Sequence, residues 1–133
     1  MANEATRVEG PYDVHDFTCF DNQPIEKGTI LWYSGTNNVS GIAIDAADGK
    51  AIAGIAAAEK VASDGALTIS VATNGFWQCK NDAGSAIIAG DMVSLSGQNL
   101  LATHLLPSLS GNVLGKAMED IAASAWGTIK LTC

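Results

Sequence analysis

The sequence is short of charge, and of cations above all. Only 16% of its 133 residues are Asp, Glu, Lys or Arg, against about 25% in an ordinary soluble domain. Lys and Arg number 7 against 14 Asp and Glu, a net charge of −7. Binding nucleic acid through its phosphates needs the opposite sign, so no nucleic-acid partner is expected. No run approaches the roughly 18 apolar residues that span a membrane. The opening Met1-Ala2-Asn3-Glu4-Ala5-Thr6-Arg7 lacks the cationic start and apolar run of a secretory signal. These features point to a soluble protein made in a cytoplasm, with no membrane partner.

Chemistry-bearing residues are equally sparse. Cys19, Cys79 and Cys133 are odd in number and far apart, unlike a disulfide framework or a CxxC clip, and read as small buried hydrophobes. The two histidines, His15 and His104, are not a zinc-site pair at defined spacing. Asp13, His15 and Asp16 could be grouped as metal ligands, but solvated polar residues are the simpler reading. Neither a Gly-x-Ser-x-Gly elbow nor a phosphate-cradling loop is present. Glu59, Asp64, Glu119 and Asp120 could be offered as glycosidase carboxylates, yet their matching places in a repeat favour capping. No catalytic residue, metal or cofactor is expected, and the chain reads as a non-enzyme.

What is present is 47% apolar residues and 14 glycines, arranged as short β-rich runs ending in turn residues. Thr29–Tyr33 stops at Ser34-Gly35, Leu67–Val71 is followed by Asn74-Gly75, and Met92–Leu95 stops at Ser96-Gly97. Thr128–Thr132 alternates apolar and polar residues. This pattern predicts an all-β chain, a small barrel or sandwich, with Asn74-Gly75 a good tight turn. Two Ala-rich runs, Ile55–Ala62 and Ala117–Ala123, predict one or two short helical turns between strands.

The runs repeat. Gly28–Gly35 aligns with Gly90–Gly97, Asn37 with Asn99, and Ala53–Ala56 with Leu114–Ala117. Gly65–Val71 aligns with Gly127–Cys133. Two copies are too few for a solenoid, so the expectation is a duplicated β-unit, halves about 27–80 and 89–133, forming one pseudo-symmetric barrel over 27–133. Residues 1–26 show no sustained period and read as an extended N-terminal arm, tied down by its own barrel or a neighbouring chain.

The repeat residues carry a resemblance. Ile25-Glu26-Lys27-Gly28, Gly54-Ile55-Ala56 with Asp64-Gly65, Ala89-Gly90-Asp91-Met92-Val93 and Val113-Leu114-Gly115-Lys116-Ala117 resemble the small capsid decoration, or cement, proteins of tailed bacteriophages and related viruses. The similarity covers about residues 25–133. It implies a β-rich structural protein of the virion, without enzymatic activity, synthesised in the host cytoplasm and bound to the outer capsid surface. It also implies a homotrimer on the major capsid protein at three-fold and quasi-three-fold positions, stabilising the capsid against internal pressure. The low charge agrees, because small domains have much surface to cover and a covered surface needs few solvating groups. Pro11, Tyr12, Val14, Phe17 and Phe20 are the arm's candidate contacts to capsid or neighbouring subunit. Trp32, Trp77 and Trp126 are candidate oligomer-interface anchors. The alternative is a carbohydrate-binding or receptor-binding surface module using those tryptophans.

Overall fold

The alternation in the last run becomes a strand in which Gly127, Ile129 and Leu131 are buried and Lys130 and Thr132 exposed. In the computed structural model, residues 4–9, 12–33, 38–40, 51–82, 84–97, 99–103 and 113–132 are described. They form β1 (Thr6–Glu9), β2 (Val14–Cys19), β3 (Ile30–Tyr33), β4 (Asn38–Ser40), β5 (Ile52–Ala56) and β6 (Thr68–Ala72). The second half supplies β7 (Asn74–Asn81), β8 (Met92–Gly97), β9 (Leu100–Thr103), β10 (Gly115–Ala117) and β11 (Trp126–Thr132). Pro11, Ser34 to Asn37, His104 and Cys133 lie outside the described residues.

The chain is all-β, and each half closes as its own barrel. β2, β4, β3, β5 and β6 form the first ring; β7, β9, β8, β10 and β11 form the second in the same order, with β1 added beside β7. In both rings one parallel contact, β2 with β4 or β7 with β9, joins what would otherwise be two free edges. That seam explains why two barrels form where the repeat suggested one, since a closed sheet has no edge left to pair with the other half.

Three further expectations change. The helical turns do not form among the described residues: Ile55 and Ala56 are buried in β5, opposite Ala72 and Val71, and Gly115–Ala117 pairs with β8 and β11. Sheet pairing and burial outweigh a helix preference spread over two turns. The segment set apart as an arm enters the walls of both barrels. β2 pairs with β6 from Val14 to Thr18 and buries Cys19, while β1 pairs with β7. The repeat therefore begins near residue 14, and β7 opens the second unit instead of ending the first.

The third change is one of register. Cys19 N–H donates to the Leu67 carbonyl as Asn81 N–H donates to Ala125, and Thr18 faces Thr68 as Lys80 faces Trp126. Thr68 therefore corresponds to Trp126, and Val71 to Ile129 rather than Cys133, four residues from the sequence alignment. Part of the difference is an insertion. Ser63 and Ser124 both have positive φ, 58° and 62°, and donate to the carbonyls of Asp21 and Asp82. Between Ser63 and Leu67 lie Asp64, Gly65 and Ala66, whereas Ser124 is followed directly by Ala125.

The core has two parts. Cys19, Ile25, Leu31, Val39, Ala53, Ala56, Ile69 and Val71 fill the first barrel. The larger cluster contains residues of the second barrel, including Cys79, Val93, Leu95, Leu101, Ile129 and Leu131, together with Ile30, Trp32, Ile52, Ile55 and Ala72 of the first. The first barrel thus buries one outer face in the cluster shared with the second. A buried hydrogen bond crosses the same boundary, from Ile30 N–H to Asn99 Oδ1 at 2.9 Å.

Candidate interaction surfaces

The repeat turns one polar problem into two solutions. At the corner where Ile25 bridges to residue 60, Lys60 is 3% exposed. Its Nζ donates to the carbonyls of Asp21 (2.8 Å) and Val61 (3.1 Å), to Asp64 Oδ1 (3.0 Å) and to Asp21 Oδ1 (3.4 Å). Burial works against the ammonium, but the bonds and charges of Asp64 and Asp21 outweigh it and hold the Lys60 pKa above its ordinary value. The Ala66 N–H is the main cause holding the Asp64 carboxyl below its usual range, with Lys60 next. At the matching corner Ile87 bridges to Ile121. There Asn81 Nδ2 donates to the carbonyls of Ser85, Ile121 and Ala122, at 2.7, 3.2 and 3.3 Å. These corners are structural ties.

Two more of the acidic candidates also serve the backbone. Asp120 Oδ1 accepts from Ala89 N–H and Glu119 Oε2 from Thr128 N–H. Asp13 exchanges two hydrogen bonds with Asn74, and Asp16 accepts from Ser70. Among the described residues no three His, Cys, Asp or Glu gather as metal ligands would. Burial pushes the Cys79 thiol up to about 12; it also raises Cys19, against the pull of Lys60. Neither is set up as a thiolate nucleophile.

The aromatic candidates are distributed differently from an arm and three matching anchors. Tyr12 packs edge-on against Trp77 at 5.5 Å, with Arg7 over its ring at 5.4 Å. Phe17 packs edge-on against Tyr33 at 6.0 Å and against the first core. Phe20 is half-buried, whereas Val14 is 44% exposed. Trp32 and Trp77 are buried in the cluster shared by the barrels, so the face of a three-tryptophan platform is not available. Trp126, 42% exposed opposite Lys80, is the tryptophan that reaches the surface.

Where β1 passes from the first barrel to the second, Ala5 N–H donates to Gly28 at 2.7 Å. Beside it Glu4, Arg7, Tyr12, Lys27 and Trp77 line an open groove of about 560 Å³. Sequence reasoning did not find this groove, because it joins segments around residues 4–12, 27 and 77.

On the outside of the second barrel one row of residues crosses four strands: Met92 faces Lys116, Lys116 faces Lys130, and Lys130 faces Phe76. The corresponding row in the first barrel is Ile30, Ile55, Ala72 and Val14. Its first three members are fully buried, while Met92, Lys116 and Lys130 are exposed.

No curated protein matches the chain significantly. A protein-family model, described as phage cement protein, matches residues 40–132, from the end of β4 to the end of β11. The match over most of the chain establishes that it belongs to the phage cement protein family.

Proposed function

We propose that this protein binds the outside of an icosahedral phage capsid and cements its capsomers, acting as a homotrimer at three-fold and quasi-three-fold positions. The family match over residues 40–132 carries the reading. It is supported by the surface: a chain of net charge −7 with few charges leaves Val8, Val14, Tyr33, Met92, Met118 and Trp126 substantially exposed, as a protein covered by partners can. Cementing requires a rigid body that touches two capsomers at once, and two closed barrels sharing one buried cluster provide it. The major capsid protein is the partner, and the contribution is mechanical, resisting outward pressure without a chemical step.

Within this reading the N-terminal stretch contacts capsid or neighbouring subunit, through Val14 and the edges of Tyr12, Phe17 and Phe20. Because β2 is part of the first ring, point substitution tests this contact more cleanly than truncation. Purified protein mixed with undecorated shells should co-sediment and appear in electron-microscopy maps as density at the three-fold positions. Val14→Asp should reduce occupancy without unfolding the protein. Failure of the wild-type protein to bind such shells would overturn the reading.

A further inference from the structure

The two barrels are related by a head-to-tail step, and that step is left unfinished. The first barrel's row Ile30, Ile55 and Ala72 lies in the cluster shared with the second barrel, beside the bond from Ile30 N–H to Asn99. Gly28, two residues earlier, is covered as well, by the segment leading into β1, since a Cβ there would run into the Ala5 carbonyl oxygen. In the second barrel the same positions are Met92, Lys116, Lys130 and Gly90. Met92 is 43% exposed, both lysines are exposed, and a Cβ at Gly90 would meet nothing within 4 Å. Met118, at the place of half-buried Ala57, is 47% exposed.

We infer that this second-barrel face binds the first barrel of another copy of the chain, repeating between molecules the packing that joins the barrels within one. The inference deepens the homotrimer reading above and rests on it. Charge supports this occupant. Residues 1–13, whose β1 lies beside β7, hold three acids and one base (1 − 3 = −2), residues 14–73 of the first barrel seven acids and three bases (3 − 7 = −4), and residues 74–133 four acids and three bases (3 − 4 = −1). Those three bases are Lys80, Lys116 and Lys130, and the last two stand in the open row. An acidic first barrel therefore complements this face, whereas a second copy of the same face would set lysine against lysine. The contact is heterologous, so it closes into a ring when the rotation allows; three copies make a ring of six barrels in alternating order. Lysines where the first barrel has isoleucine and alanine make the intermolecular joint more polar than the internal one. The association is accordingly reversible and sensitive to salt.

The test uses the full chain at rising concentration, with light scattering for mass and peroxide oxidation read by mass spectrometry at Met92 and Met118. The wild-type protein should associate beyond 13.7 kDa, less so in high salt, and oxidation of Met92 and Met118 should slow as it does. Lys116→Glu with Lys130→Glu, both exposed and checked for folding by circular dichroism, should weaken association about tenfold or more. Unchanged association in that variant, or methionines oxidised equally fast at all concentrations, would overturn the inference. Shell binding is measured separately. Wild-type protein that stays monomeric yet decorates shells overturns this interface and leaves the capsid reading standing; protein that associates through this face but ignores shells does the reverse.

Discussion

Lys60 and Asn81 tie corresponding corners of the two barrels from different positions in the repeat. Lys60 sits at the bridge residue and reaches the Asp21 and Val61 carbonyls; its counterpart in the second half is Ile121. Asn81 sits on the strand, at the place of Cys19, and reaches the carbonyls of Ser85, Ile121 and Ala122. Each corner has one polar and one apolar member, exchanged between the halves. Only the half with the buried ammonium carries the Asp64-Gly65-Ala66 insertion, whose carboxylate pairs with it.

Asn81→Ala should destabilise the protein by about 1–3 kcal/mol, because the Ser85 carbonyl loses its donor, the Ile121 and Ala122 carbonyls keep only their backbone partners Ile87 and Ala125, and Asn81 is fully buried. Chemical denaturation measures it. A loss below about 0.5 kcal/mol would show that solvent reaches those carbonyls.

The Lys60–Asp64 pair sets a pH window. The Asp64 pKa is depressed, so its contribution is present above the ordinary 3.8 and is lost as pH falls through the lower folded value. The Lys60 pKa is raised, so its contribution is present below the ordinary 10.5 and is lost as pH climbs through the higher folded value. Asp64→Asn should lower the denaturation midpoint at neutral pH, and the gap to the wild-type protein should close below pH 3.8. A gap that persists at pH 2 would assign the effect to shape instead of charge.

Gly54 and Gly115 hold the same place in the repeat, and a Cβ on either would strike a main-chain oxygen of the adjoining last strand, Ala72 or Lys130. Gly54 also has φ +150°. Replacement by Ala should cost about 1–3 kcal/mol at Gly115 and more at Gly54, where strain adds to overpacking. Gly65→Ala, with φ +84° but open space, isolates the strain alone. In thermal melts Gly54→Ala should fall furthest, Gly115→Ala next and Gly65→Ala least.

Cys19 and Cys79 are buried thiols with raised pKa. In the native protein at pH 8 both should resist iodoacetamide, and both should label once the chain is unfolded in denaturant. Site-resolved mass spectrometry gives the readout, and rapid native labelling of Cys79 would show that the second barrel opens readily.

Much of this was open to reading along the chain. Period-two alternation and Gly, Asn and Ser punctuation determined that the protein is all-β, since these are local backbone and burial preferences. The repeat was visible at two pairs of required glycines: Gly28 and Gly90 share a positive φ of 92° and 94°, and Gly54 and Gly115 crowd equivalent oxygens. The spacing around these glycines already resembled capsid cement proteins.

Tertiary structure decided the rest. A shift of four residues leaves alternation unchanged, because side chains return to the same face every second residue, so only strand partners could pair Val71 with Ile129. Phe17 and Cys19 gave β2 too short a pattern to separate it from an arm, and its place was fixed by hydrogen bonds to β6, 54 positions away at Asp16 and Ser70. Likewise Ile30 and Met92 are both apolar residues opening equivalent strands. Which is covered and which is open depends on how one barrel lies against the other, a long-range relationship that no local pattern encodes.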